Sequence, residues 1–216
     1  EASLRTLDFV GVLWQPTFAS LTMMFVSPLF GFLIGWLIMV VLSWAFFRVA
    51  RHVAVLTFSR LQLLSAGFMA YSHGANDAQK VMGIITLALL AGGQLTTADV
   101  PTWVVISCAL AMGLGTVAGG WRIVRTLGMR IVKLDPVHGF AAETGAAAVL
   151  LTTAHFGLPV STTHTITSSV MGVGAVQRLS AVRWGVSARI FSAWIFTLPG
   201  SGLAASLLYL LLSLIG

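Results

Sequence analysis

Two polar clusters interrupt an otherwise oily chain. The first is His73-Gly-Ala-Asn-Asp-Ala-Gln-Lys80, in the middle of the apolar stretch 61–91. The second is Pro159-Val-Ser-Thr-Thr-His-Thr-Ile-Thr-Ser-Ser169, at the head of another apolar stretch. A charged residue at the centre of a membrane helix costs about 2.5–3.5 kcal/mol on insertion scales, so Asp77 and Lys80 are expected to face protein or a cavity rather than lipid. Asp77 can bind a small cation or take up a proton, and Asn76 offers a second oxygen. Lys80 either neutralises an anion or balances Asp77; the plainer alternative is an Asp77–Lys80 pair that only neutralises itself. In the second cluster Pro159 suits the first turn of a helix. Ser161, Thr162 and Thr163 set three hydroxyls beside that turn's free N–H groups, where the helix dipole adds positive potential. Phosphate or sulfate suits such a place, although Ser/Thr caps on an ordinary membrane helix give the same spacing. A carboxylate beside an anion cradle makes sense when a cation sits between them. Glu143, in the first arm and so expected at membrane depth, is a further cation or proton site or the partner of a hydroxyl or a basic side chain. His164 is a proton relay or a packing histidine. Ser161 and His164 share a helix face, the spacing of a hydrolase dyad, but no Gly-x-Ser-x-Gly elbow accompanies them, so no enzyme is expected.

The elements that must carry these residues follow from composition. Of 216 residues, 57% are hydrophobic and 8% charged, against about 25% charged in a soluble domain. That excludes a soluble globular domain and a disordered tail. The net charge of +6 raises the question of nucleic acid, but the basic residues sit in short clusters between apolar runs, the pattern of loops on a membrane protein. A membrane helix needs about 20 apolar residues. Spans are expected at 25–47, 61–91, 103–121 and 190–214, with residues 1–23 a loop or interfacial segment and 24–216 the transmembrane domain. The 61–91 span is expected to break near Gly74, with Asn76 or Asp77 capping its second half. Residues 138–177 form two short arms joined at Gly157-Leu158-Pro159 and read as a re-entrant hairpin. Pro199-Gly200 is expected to kink the last span. Gly31-x-x-x-Gly35 and Gly115-x-x-x-Gly119 have the spacing of close helix packing. Three loops, 48–60, 122–133 and 178–189, hold ten of the twelve basic residues. They are expected to be cytoplasmic, which places the C-terminus outside.

Ser72-His-Gly-Ala-Asn-Asp-Ala-Gln-Lys80 and Pro159-Val-Ser-Thr-Thr-His164, in this order and at this separation, resemble the signatures of the inorganic phosphate transporter (PiT) family. Gly119-Gly-Trp-Arg122 and Gly139-Phe-Ala-Ala-Glu143 are also similar to that family, and the resemblance runs from about Arg60 to Pro199. It implies an all-α membrane protein, a multi-span bundle with a broken helix and a re-entrant hairpin, forming one half of an inverted-repeat transporter. The Ala-Gln-Lys continuation resembles the second repeat of bacterial members, so an N-terminal repeat is missing from this chain. The implied function is a symporter in the inner or plasma membrane, taking up phosphate with H+ or Na+ by alternating access. Sulfate or another oxyanion, and a non-transporting half-transporter subunit, are the alternatives. Phosphate would be held by Ser161, Thr162, Thr163, Asn76 and Lys80. The cation would be held by Asp77, Asn76 and Glu143, with Asp77 and Asn76 as the metal ligands if sodium is the coupling ion. No resident cofactor and no nucleic-acid partner are expected. The lipid bilayer, the missing repeat and a second copy in a homodimer are.

Overall fold

A computed structural model describes the backbone of residues 2–215, and side chains for Phe18 and for residues 21–214 apart from Leu198. The described residues contain helices and no strand. In order they are α1 (Ala2–Ala45), α2 (Arg51–Ala91), α3 (Thr102–Arg125), a π-helical turn (Thr126–Ile131), α4 (Pro136–His155), α5 (Thr162–Gln177), a short 3-10 turn (Leu179–Ala181) and α6 (Trp184–Ile215). Four stretches are long and apolar enough to cross a membrane: Leu21–Ala45, Arg51–Ala91, Thr102–Ile131 and Trp184–Leu214. Their outer faces carry large exposed side chains such as Leu114, Val117, Trp121 and Leu214. In water this much exposed apolar surface would drive association; in a bilayer it is the lipid face. The fold is an all-α, membrane-embedded bundle.

Short arms α4 and α5, of 20 and 16 residues, form the hairpin. The sequence dictates each of its ends. Asp135 caps α4 by accepting from the His138 N–H at 3.0 Å, with Pro136 in the first turn. At the other end Gly157 takes φ +63°, its N–H reaches the Ala154 carbonyl at 3.0 Å, and the Leu158 N–H reaches that of Thr153 at 2.8 Å. This pair of bonds closes a helix only when the residue after the cap is left-handed, which favours glycine. Ser161 then caps α5, its Oγ accepting from the His164 N–H at 3.4 Å.

α1 lies along this hairpin with backbones nearly touching. A Cβ on Gly31 would stand 2.5 Å from the Thr165 carbonyl oxygen. One on Gly35 would stand 2.5 Å from Ser169 Oγ. Both pairs are four residues apart, so one turn of α1 meets one turn of α5, and the first glycine pair packs as its spacing predicts. The second does not: nothing lies within 4 Å of a Cβ on Gly115 or Gly119. These glycines line an open space instead.

Three further expectations are corrected. α2 runs unbroken from Arg51 to Ala91, through Gly74. One glycine costs a helix only about 1 kcal/mol, and the polar run satisfies itself within the helix. Ser72 Oγ donates to the Phe68 carbonyl at 2.8 Å and Asn76 Nδ2 to that of Ser72 at 3.1 Å. Neither Asn76 nor Asp77 is therefore a cap. Residues 2–23 are helical rather than a loop, as the start of α1; Glu1 lies outside the described residues. α6 starts at Trp184 rather than at 190, and Pro199 lies inside it.

Candidate functional site

Asp77 is the hub of the site. Its Oδ2 accepts from the Thr162 hydroxyl at 2.9 Å, across 85 positions of chain. Its Oδ1 accepts from Lys80 Nζ at 3.1 Å, and His73 Nδ1 lies 3.5 Å from Oδ2. Helical geometry explains the local part, since 73, 77 and 80 fall on one face of α2 at i, i+4 and i+7. The hairpin supplies the rest by bringing the first turn of α5 against that face. Lys80 spans both elements, donating also to the Val160 carbonyl at 2.7 Å. Asn76 does likewise through the Leu150 carbonyl at 3.3 Å.

The three hydroxyls of the second cluster separate in their duties. Thr162 is buried and bonded to Asp77. Ser161 is spent on capping α5. Thr163 is exposed and lines a cavity of about 560 Å³ between α2, α3, α4 and α5. Neither Thr162 nor Thr163 has a backbone partner for its N–H among the described residues, as first-turn donors lack one within the helix. The same cavity is lined by His73, Glu143, Gly115 and Gly119, which accounts for the open glycine face of α3.

Glu143 and Asp77 do not touch. The Glu143 carboxylate accepts instead from the Ser65 hydroxyl, and Gln62 also hydrogen-bonds it. The hydroxyl partner that the sequence allowed for Glu143 is formed, by Ser65. Gln62 and Ser65 were not singled out from the sequence. Their signal was there in periodicity: Ser65, Ser72 and Asn76 are buried polar residues at i, i+7 and i+11 on α2, an inward stripe on an apolar helix.

His164 stacks on Trp194 of α6, ring centroids 3.8 Å apart, and its buried Nδ1 has no hydrogen-bond partner among the described residues. Ser161 Oγ meets the His164 backbone rather than its ring, so the two form no hydrolytic dyad. Away from the site, His138 bridges the far ends of the hairpin. Its Nδ1 lies 2.6 Å from Asp135 Oδ1 and its Nε2 lies 2.6 Å from Gln177 Nε2. With Gln177 donating to Nε2, the proton belongs on Nδ1, which donates to Asp135.

Chemically, the arrangement offers a hard cation oxygens from Asp77, Thr162 and the Val160 carbonyl, and offers an anion free N–H groups and hydroxyls at the head of α5. Among the described residues no three His, Cys, Asp or Glu side chains gather as a transition-metal site would require.

Comparison with known proteins agrees in kind. The sequence pattern of the "Phosphate transporter family" matches residues 3–205. A "Probable low-affinity inorganic phosphate transporter" of Rhizobium meliloti (strain 1021) is 45% identical over 209 residues, covering 96% of this chain and 63% of that protein. A protein of the same name from Bacillus subtilis (strain 168) is 38% identical, with 99% of this chain and 65% of that one covered. The chain thus spans less than two thirds of the length of these relatives. Among solved structures, "The sodium-dependent phosphate transporter" superposes with a TM-score of 0.75 over 86% of this chain and 64% of that one. At 21% identity this likeness speaks for the fold.

Proposed function

Since the chain belongs to the phosphate transporter family, we propose that it supplies one side of a site where inorganic phosphate and a cation are carried together across the membrane by alternating access. It is not an enzyme. The observation that carries the reading is the bond from Thr162 to Asp77. It joins the acid of α2 to the anion-binding turn of α5, as co-transport of opposite charges requires. Each negative charge moved into a negative-inside cell costs roughly 2.3 kcal/mol per 100 mV, and a co-transported Na+ or H+ offsets that cost.

In this reading Asp77 holds the cation, with Asn76 ordering the neighbouring turn. Thr163 and the free N–H groups of α5 receive phosphate from the cavity. Thr162 couples the two ligands, because its hydroxyl bonds Asp77 while its N–H faces the anion. Lys80 covers Asp77 until the cation arrives. Glu143, on the cavity wall and bonded to the Ser65 hydroxyl, is a second cation or proton site. The relatives are longer than this chain, and the remainder of such a protein would complete the site. The basic end is assigned to the cytoplasm by its charge.

Asp77→Asn in the full-length protein tests this. Cation-driven uptake of labelled phosphate into cells is expected to fall at least tenfold, with membrane insertion unchanged on immunoblots of membrane fractions. Uptake at the parental rate refutes the role given to Asp77.

A further inference from the structure

The helix ends place the three basic loops at one end of the bundle. Ten of the twelve Lys and Arg residues lie there, and all ten are exposed. The acid nearest them in sequence, Asp135, is turned inward to His138. Among the described residues none of the ten forms an ion pair. A uniform field of this kind is expected of any loop that stays in the cytoplasm. The start of α2 adds something more specific. A crevice of about 250 Å³ opens there, lined by Leu56, Thr57, Arg60 and Leu61. Thr57, Arg60 and Leu61 share a helix face at i, i+3 and i+4. Neither the Arg60 guanidinium nor the Thr57 hydroxyl has a partner among the described residues, whereas the neighbouring Ser59 hydroxyl is tied to the Val55 carbonyl at 2.7 Å. An unpaired cation and a free hydroxyl thus sit at the rim of an apolar slot, with Arg48 and Arg51 close by in sequence.

We propose that this crevice binds an anionic phospholipid, its headgroup phosphate on Arg60 and the Thr57 hydroxyl and the start of an acyl chain along Leu56 and Leu61. Charge complementarity selects an anionic headgroup over a zwitterionic one, and the leucines select a lipid over a soluble anion. Clusters of Lys and Arg immediately cytoplasmic of a membrane helix are a recurrent place for such headgroups. The assignment is independent of what the protein carries.

Native mass spectrometry of the purified full-length protein, with phosphatidylglycerol or phosphatidylcholine added, reads the site directly. One phosphatidylglycerol is expected to stay bound in preference to phosphatidylcholine. Arg60→Gln should weaken its retention about fivefold, the worth of one basic side chain at an anionic surface. Leu56→Trp, which fills the slot and keeps every charge, should weaken it as well. Arg183→Gln, at the same end but away from the crevice, should not. Equal losses for Arg60→Gln and Arg183→Gln would mean a diffuse field and overturn the proposal. So would equal retention of the two lipids, or displacement of the lipid by excess inorganic phosphate.

Discussion

Gly35→Ala puts one methyl group into the tightest seam of the bundle. The new Cβ would lie 2.7 Å from the Ser169 carbonyl oxygen, where ordinary contact begins at 3.4 Å, so α1 and α5 must part by about 0.7 Å if the backbone is to yield. The side chain cannot yield cheaply instead. Ser169 Oγ stands 2.5 Å from that Cβ and donates to the Ala142 carbonyl at 2.8 Å in a fully buried position. Rotating it away abandons a buried hydrogen bond, at about 1–3 kcal/mol. Parting the helices forfeits a quarter to a half of each dispersion contact along the seam, and overpacked cores lose about 1–3 kcal/mol. Alanine recovers about 0.5–1 kcal/mol of backbone entropy, leaving a net loss of about 1 kcal/mol at the middle of these ranges. At about 2–4 °C per kcal/mol for a chain of this size, the midpoint should fall by about 2–4 °C. The assay is thermal unfolding of the full-length protein in detergent, with Gly67→Ala as reference, because nothing lies within 4 Å of a Cβ there. If the two variants melt together, the seam is not close-packed and the reasoning fails.

Other outcomes follow from the remaining contacts. Glu143→Gln keeps the bond to Ser65 but removes the charge; transport should persist with an altered dependence on Na+ or pH, read by varying each in an uptake assay. At Asp135, burial pushes the carboxyl up, but the bonds it accepts from the His138 N–H and ring outweigh this and hold it below the usual carboxylate range. A depressed acid stabilises the fold above its unfolded value, and this contribution disappears as pH falls through the folded value. Asp135→Asn should therefore melt earlier than the parent near neutral pH and converge with it in acid, measured as melting midpoint against pH.

The sequence disclosed which residues meet more reliably than how the backbone carries them. Asp77 and Thr162 were legible as a pair because both types are costly in an apolar chain and must find each other. The four long spans and the hairpin were legible from hydropathy and from the Gly157-Leu158-Pro159 turn. The unbroken course of α2 was not, because Gly74 beside Asn76 and Asp77 reads equally well as a cap. Only the bonds within one turn, from Ser72 to Phe68 and from Asn76 to Ser72, decide for the helix. Identical spacing likewise hid the difference between the two glycine pairs. Whether a small residue faces a backbone or an opening depends on the register of a neighbouring helix, which a single sequence does not encode locally.

α2 is a rod of 41 residues, roughly 62 Å at about 1.5 Å per residue. A hydrocarbon layer is only about 30 Å thick, and leaning by about 40°, the steep end of what membrane helices adopt, still leaves about a third of the rod outside it. Asp77 sits 14 residues before the last residue, Ala91, about 21 Å along the axis. A thinner or thicker membrane would slide this carboxylate relative to both water layers, making bilayer thickness itself a control on the depth at which the acid lies.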